Sequence, residues 1–508
     1  MANPALKTRF AVTTFANIIR GGLTFFTTLF VARTLGPEHY GNYAFLLASF
    51  SAMRTLVDMG TANAFYTFIS QKPRAFAFFL SYAVWQSIQF LVPFLLIAFI
   101  FPHTWLEVIW VGQERDLVLL AFSAIFIQQI LWPTVSLIGE SKRLTQRVQI
   151  LNISISVVNL CIIVGAWALN QLTVSLLFWV LLLQYLVALI PAFFILSVFE
   201  VEKESLDIRS MLREYLNYCL PLVIFSWIGF AYEFADRWLL QNFAGSEEQA
   251  FFMMGYRFAT IGLLATTSML NIFWKEIAEA QENQNFERLR TLYLRVSRFL
   301  FTMSAVICGF MVPWSETIAS LVLGPSYSAA APVLAVMFVF SVHASLGQVN
   351  GTFLLSSGKT KMHMILGSIF MVISIPISYF IQAPPDVLVP GFDLGALGMA
   401  WKNLILNVVM VNFVTWWIAK INGWKYDWLY QVVGLTGALA LGWLSYALVK
   451  GINSSLALNI YFQGSVTLLF YSVAITAFIW WLPWLTGFSR VEIKIMIIKS
   501  LKYFKISR

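Results

Sequence analysis

Residues 219–245 read CLPLVIFSWIGFAYEFADRWLLQNFAG, and this stretch decides how the rest of the sequence is interpreted. Its first part, 219–230, carries no charge, and three ionisable residues, Glu233, Asp236 and Arg237, follow close together. A helix of about twenty predominantly apolar residues is long enough to cross the hydrocarbon core of a bilayer. The stretch therefore predicts a transmembrane helix that places ionisable groups inside the membrane.

The whole chain shares this apolar character. Of its 508 residues, 59% are hydrophobic and 11% are charged, with a mean hydropathy of +0.76. A soluble domain carries about 25% charged residues. Apolar runs like 219–245 recur about fourteen times, from 10–32 to 465–487, so we predict an all-α polytopic membrane protein of about 14 transmembrane helices. Arg20 interrupts the first run, which is interpreted as a retained helix and not as a cleaved signal peptide.

Basic residues alternate with the predicted helices. If the N-terminus is cytoplasmic, inner loops and tails hold 25 of the 33 lysines and arginines, which predicts that both termini are cytoplasmic. The net charge of +9 then belongs mainly to the inner surface and does not indicate nucleic-acid binding. The tail 489–508 interleaves Lys494, Lys499, Lys502 and Lys505 with apolar residues. It predicts either an amphipathic helix on anionic lipid or an ordinary stop-transfer flank.

The predicted helices divide into two lobes and an extension. The charged linker 200–215 separates helices 1–6 from the rest, and LGPEHYGNYAF (35–45) is echoed by FAGSEEQAFFMMGYRFA (243–259). This echo favours two six-helix repeats of the same topology, as in transporters with parallel halves. We predict an N-terminal lobe over 1–200, a C-terminal lobe over 201–420, and two extra helices with a basic tail over 421–508.

Charged residues inside the predicted helices are the main functional signal. Such a group facing lipid at mid-membrane costs about 2.5–3.5 kcal/mol, and several would exceed the stability of most proteins. Pairing the three acids with neighbouring bases still leaves two surplus positive charges, so we predict a wet, net-cationic cavity that takes an anionic occupant. The eight residues are Arg20, Arg54, Asp58, Glu233, Asp236, Arg237, Arg257 and Lys402.

These residues receive different expectations. Arg20 and Arg54 lie deep in helices 1 and 2, which favours a cavity role. Asp58 follows Arg54 by four residues and is expected to pair with it, a proton-carrying role being the alternative. Glu233, Asp236 and Arg237 share one helix face, and Arg237 is expected either to line a cavity or to extend to the membrane surface. Arg257 and Lys402 are expected to extend their side chains to the membrane surface.

Other chemistries find little support in the sequence. Cys161, Cys219 and Cys308 lie singly in apolar segments, and neither they nor the four histidines have metal-ligand spacing. The GKT of GTFLLSSGKTK (351–361) lacks the first glycine of a nucleotide-binding loop, since position 353 is Phe. The outer loops are short and contain no DxD motif. We therefore expect no cofactor, no metal and no enzymatic activity.

Three stretches resemble a known family. They are RTLGPEHYGNYAFLLASFSAMRTLVDMGTANAF (33–65), LPLVIFSWIGFAYEFADRWLL (220–240) and IASLVLGPSYSAAAPVLAVMF (318–338). Their order and spacing resemble the polysaccharide-transporter family, the Wzx-type oligosaccharide flippases of the multidrug/oligosaccharidyl-lipid/polysaccharide (MOP) exporter superfamily. The resemblance covers helices 1–12, with helices 13 and 14 as an extension.

The resemblance implies a V-shaped pair of six-helix lobes around a central cationic cavity in the bacterial cytoplasmic membrane. It implies that undecaprenyl-diphosphate-linked oligosaccharide moves from the inner to the outer leaflet by alternating access. Polysaccharide polymerases and glycosyltransferases would then be functional partners, beside membrane lipids. Arg20, Arg54 and Arg237 would bind the diphosphate, and Asp58, Glu233 and Asp236 would hold these arginines or carry a coupling ion.

The alternatives are a lipid II flippase and a cation-coupled multidrug or small-metabolite antiporter. The drug-exporting branch often carries an acid in helix 1 where this chain has Arg20, which argues against the antiporter.

Overall fold

The computed structural model describes residues 4–71, 74–196, 208–456, 459–492 and 494, and within these ranges it is helical and contains no β-strand. The α-helices are α1 Pro4–Asp58, α2 Thr61–Gln71, α3 Phe76–Leu95, α4 His103–Ile109, α5 Arg115–Phe126, α6 Trp132–Ser141, α7 Thr145–Ala168, α8 Val174–Ile195, α9 Ile208–Glu282, α10 Phe286–Met311, α11 Ser315–Ile318, α12 Ala331–Ser356, α13 Thr360–Gln382, α14 Gly395–Ile421, α15 Leu429–Leu456 and α16 Ile460–Trp481. Apart from Lys494, the lysines of the predicted amphipathic tail lie outside the described residues.

Twelve helical segments in the described part of the chain are long and apolar enough to cross a membrane. The protein is therefore a multi-pass membrane protein, and the predicted all-α class is confirmed. Two of these segments, Phe15–Asp58 and Met211–Thr260, are 44 and 50 residues long. At 1.5 Å per residue each is roughly twice the ~30 Å thickness of a bilayer core. The predicted count of fourteen crossings is not confirmed and stays a prediction.

Single glycines interrupt both long segments. Gly36 breaks α1 with φ 74° and ψ 171°, and Gly245 breaks α9 with φ 90° and ψ 179°. This conformation is almost restricted to glycine because it places a Cβ against the backbone. Gly324 has a similar geometry, with φ 106° and ψ 164°. The echo between 35–45 and 243–259 thus corresponds to a repeated backbone geometry.

The chain forms two compact units. The first comprises Met1–Met253 and Met371–Met399, and the second comprises Met254–Phe370 and Ala400–Arg508. The predicted lobe boundaries at residues 200 and 420 are a different division of the chain, and they stay a prediction.

The core of the first unit lies between α1, α5 and α8. Phe45, Phe122, Ile125 and Phe178 are buried together there. A second cluster gathers Phe65, Phe68 and Phe78 of α2 and α3 around Met211 and Cys219 of α9. Because lipid tails are as apolar as these side chains, the clusters are stabilised by van der Waals packing between helices. All six candidate site residues belong to this unit.

In the second unit the C-terminal helix α15 packs closely on α10. A Cβ at Gly442 would overlap the carbonyl group of Gly309, so the two backbones meet where neither residue has a side chain. The preceding loop is held as well, since Arg298 forms an ion pair of 2.7 Å with Asp427. The predicted additional helices are therefore an integral part of this unit.

Candidate functional site

Arg54 lies beside an irregular turn of a neighbouring helix. Between α5 and α6 the backbone forms a π-helical segment, Ile127–Leu131. The Nη1 of Arg54 donates to the carbonyl oxygen of Gln129 at 3.5 Å, and the Gln129 amide donates to the hydroxyl of Ser51 at 2.8 Å. A π-helical turn is wider than an α-helical one and is frequent at functional sites. This turn and the α1 face that carries Ser51 position the guanidinium group.

Asp58 has a different role from the one expected. Its carboxylate accepts hydrogen bonds from the Ala62 amide at 2.9 Å and the Thr61 hydroxyl at 3.0 Å. Gly60, with φ 83°, allows the chain to turn there, and α1 ends at Asp58. Asp58 therefore caps the N-terminus of α2, and no ion pair within 4.0 Å joins it to Arg54 in the described structure. The predicted pairing was wrong because Asp58 is the last residue of α1, and its carboxylate bonds to the first turn of α2 instead of to Arg54.

Glu233 of α9 is electrostatically coupled to charged residues on two helices. Arg237 attracts its carboxylate most strongly, Arg54 attracts it less, and Asp236 repels it. Arg54 lies on α1 and Arg237 on α9, so the coupling joins residues that are distant in sequence. Glu233 is exposed and Asp236 is 5% exposed. The candidate site thus combines guanidinium groups from two helices with an exposed acid that both attract.

Arg237 and Asp236 are held by neighbours on the same unit. The guanidinium carbon of Arg237 lies 4.7 Å from the centroid of the Phe252 ring, a cation–π contact. The hydroxyl of Ser378, on α13, donates to Asp236 at 2.5 Å, and Ser378 is fully buried. A charge-assisted hydrogen bond of this kind fixes the Asp236 carboxylate in place.

Arg20 lies elsewhere on α1. Its Nη2 donates to the Asn17 side chain at 3.2 Å, and its charge acts on Tyr185 of α8. Among the described residues, no carboxylate lies within 4.0 Å of a guanidinium nitrogen of Arg20 or Arg54. Two arginines inside predicted membrane spans therefore lack an acidic partner at contact distance. Arg20 is coupled electrostatically to Tyr185 of α8, and no contact places it beside Glu233.

One of the two bases of the second unit departs from expectation. Lys402 is 2% exposed, so the expected extension to the membrane surface is wrong for this residue, and packing within the protein determines where its side chain lies. Arg257 is half-buried, and its Nε is buried with no hydrogen-bond partner in the described structure. Its extension to the membrane surface stays a prediction.

Sequence reasoning missed several residues that shape the site. Ser378, Ser51 and Tyr185 carry no distinctive sequence signal, because each is a common residue in an apolar helix. Gln128 and Gln129 form an adjacent amide pair within an apolar run, which is a usable signal for an irregular, polar turn. Within the described residues, no three His, Cys, Asp or Glu side chains come together as a metal site.

Comparisons with known proteins agree with this architecture. The model of the polysaccharide biosynthesis protein family matches residues 6–273, and the MatE family model matches residues 221–380. No curated protein is significantly similar to the chain.

Solved structures share the fold at low sequence identity. The lipid II flippase MurJ, in an inward closed conformation, superposes with a TM-score of 0.66 at 12% identity, covering 92% of this chain and 98% of that chain. An outward-facing multidrug resistance MATE transporter of the MOP superfamily gives a TM-score of 0.55 at 16% identity, covering 82% and 95%. A MOP-superfamily transporter from Pyrococcus furiosus, described as having a binding pocket of reverse polarity, gives 0.53 at 14% identity, covering 82% and 96%. The chain has the fold of the MOP transporters, and it belongs to the polysaccharide biosynthesis protein family.

Proposed function

We propose that this protein is a flippase that moves undecaprenyl-diphosphate-linked oligosaccharide from the inner to the outer leaflet of the bacterial cytoplasmic membrane by alternating access. The observation that carries the proposal is that Arg20 and Arg54 lack a nearby acidic partner among the described residues. Both lie in membrane-spanning segments of the first unit, and neither has a carboxylate within contact distance among the described residues.

A diphosphate is the ligand that suits these groups. A guanidinium group donates up to five hydrogen bonds in a planar fork that matches phosphate oxygens, and its charge persists at any physiological pH. Glu233, whose carboxylate is electrostatically coupled to Arg54, would stabilise the charge of that arginine before the substrate arrives. Asp236 and Glu233 are also the groups able to carry a coupling cation. In this proposal the charged residues bind the substrate and a coupling ion and do not change the substrate chemically. We therefore propose a transporter and not an enzyme.

The membrane topology follows from the charge distribution. Placing 25 of the 33 basic residues inside gives cytoplasmic termini, and the inner leaflet is then the side where the lipid-linked glycan enters. The glycosyltransferases that build the glycan and the polymerase that extends it would act before and after this step.

Substitution of the two arginines tests the proposal in cells. We expect Arg20→Ala and Arg54→Ala to reduce export of the lipid-linked glycan strongly, and the lysine variants to restore it only in part, because lysine offers a point charge without the fork. Thr28→Ala, at an exposed side-chain hydrogen bond of the same helix, is the matched control and should export normally. Normal export by both alanine variants at wild-type protein levels would end the phosphate assignment.

Lipid II is the second candidate cargo, and the fold match over 92% of this chain with a lipid II flippase favours considering it. It presents the same diphosphate, so the arginine variants do not separate the two. Rescue of a strain depleted of its lipid II flippase does: rescue supports lipid II, and failure with intact glycan export supports the oligosaccharide. A multidrug antiporter would need an acidic or neutral cavity for a cationic drug, and the unpaired Arg20 and Arg54 oppose it.

A further inference from the structure

A cluster of amide and aromatic side chains lies on the Arg20 side of the first unit, in helices that span the membrane. Its members come from the π-helical segment, α6, α7 and α8, and none of them is used by the phosphate site. They are Gln128, Trp132, Asn152, Asn159, Gln184 and Tyr185.

Contacts within the cluster join the three helices. The indole nitrogen of Trp132 donates to Asn152 at 2.9 Å, and the Asn159 amide donates to Gln184 at 2.9 Å. The rings of Trp132 and Tyr185 lie 5.7 Å apart in a tilted arrangement. Tyr185 in turn lies beside Gln128 and within electrostatic reach of Arg20. The cluster is therefore continuous with one of the two arginines assigned to phosphate.

Interhelical packing alone accounts for only part of this cluster. The hydrogen bonds of Trp132 and Asn159 are ordinary contacts between membrane helices. Gln128 differs, because its Oε1 is buried and has no hydrogen-bond partner in the described structure. A buried acceptor without a donor costs about 1–3 kcal/mol, so such groups persist mainly where they serve a ligand or a water molecule. Gln128 also lies in the π-helical segment Ile127–Leu131, a type of backbone that is frequent at functional sites.

We infer that this cluster, termed the amide subsite, binds the sugar attached to the diphosphate of the substrate. The inference rests on the proposed function and adds a second recognition element to it. Amide side chains both donate and accept hydrogen bonds, which suits sugar hydroxyl and acetamido groups. The half-buried Tyr185 offers a ring face and a hydroxyl within electrostatic reach of Arg20. A sugar joined to a phosphate held by Arg20 would reach Tyr185 first and Gln128 next.

Binding of defined lipids to the purified protein in nanodiscs tests the inference. The probes are undecaprenyl diphosphate and the same carrier linked to N-acetylglucosamine or to galactose. The quantity compared is the ratio of affinity for a sugar-linked carrier to affinity for the bare carrier. We expect wild-type protein to favour at least one sugar-linked carrier. Gln128→Leu and Tyr185→Phe should reduce that ratio about tenfold, the equivalent of one lost hydrogen bond, while affinity for the bare carrier is unchanged.

Gln86→Leu is the matched control. Gln86 is another buried amide of this unit, and it donates to Thr134 at 2.6 Å, outside the amide subsite. It should change stability without changing the ratio. The amide subsite is overturned if the ratio is unchanged in both subsite variants. It is also overturned if the wild-type protein binds both sugar-linked carriers no better than the bare carrier. Either result leaves the phosphate site intact. If the wild-type protein does not bind the bare diphosphate carrier, the proposed function fails and the subsite fails with it.

Discussion

Three glycines of α1 predict three different responses to alanine, and together they test the geometry that places Arg20 and Arg54. Gly22 is helical, and a Cβ there would meet no atom within 4 Å. Alanine in a helix interior is about 0.5–1 kcal/mol better than glycine, so Gly22→Ala should stabilise the protein by about this amount.

Gly36 and Gly41 should respond in the opposite direction, for different reasons. A Cβ at Gly36 also meets nothing within 4 Å, but its φ of 74° makes alanine strained by about 1–3 kcal/mol. Gly41 has an ordinary helical backbone, but its Cβ would overlap the Ser246 carbonyl group of α9. Because the obstacle is backbone, the helices must separate, which costs about 1–3 kcal/mol or more and shifts the second part of α1 against α9.

The assay is equilibrium unfolding of the purified variants in one detergent, followed by helical circular dichroism. The expected order of stability is Gly22→Ala above wild type, with Gly36→Ala and Gly41→Ala below it. Only Gly41→Ala should also reduce glycan export beyond its effect on protein level, since it displaces α1 from α9. If Gly36→Ala and Gly22→Ala change the stability alike, α1 is not broken at Gly36. If Gly41→Ala is as stable as wild type, the backbones of α1 and α9 do not meet at Gly41.

Two further predictions concern the same unit. Asp58→Ala removes the cap of α2 and should cost about 0.5–2 kcal/mol of stability. Arg54→Ala should leave stability within about 0.5 kcal/mol of wild type, because that side chain is exposed. Equal losses of stability for the two variants in unfolding experiments would indicate that Asp58 is an ion-pair partner of Arg54 after all. Arg74 pairs with Glu214 at 3.1 Å and lies over the rings of Phe68 and Phe78. Arg74→Glu and Glu214→Arg should each destabilise the protein, and the double exchange should recover about 0.5–3 kcal/mol in a double-mutant cycle; additive effects would show that the pair contributes nothing.

Much of the fold could be predicted from the sequence because lipid imposes a simple rule. A membrane helix must be long and apolar, so runs such as 219–245 identify the class without further information. The echo between 35–45 and 243–259 also located Gly36 and Gly245, two breaks of the same geometry. The predicted count of fourteen crossings divides both long segments near these breaks, and it stays a prediction.

The candidate site could be predicted only as a set of residue types. Arg54, Glu233 and Arg237 were identified by their charge in apolar surroundings, and the electrostatic link between Arg54 and Glu233 joins helices distant in sequence. Asp58 was assigned to Arg54 on helical spacing, but the positive φ of Met59 and Gly60 ends the helix there and makes Asp58 a cap. Spacing within α1 permits the pair, but hydrogen bonds to the first turn of α2 hold the Asp58 carboxylate instead.

The most direct test of the central claim is the affinity of the purified protein for undecaprenyl diphosphate, compared with the same polyprenyl chain ending in an alcohol. The account predicts that wild-type protein prefers the diphosphate. It also predicts that Arg20→Gln and Arg54→Gln each reduce that affinity by at least about tenfold, because each removes a charge-assisted contact of about 1.5–3 kcal/mol. Equal affinity for the alcohol, or unchanged diphosphate affinity in both variants, would contradict it.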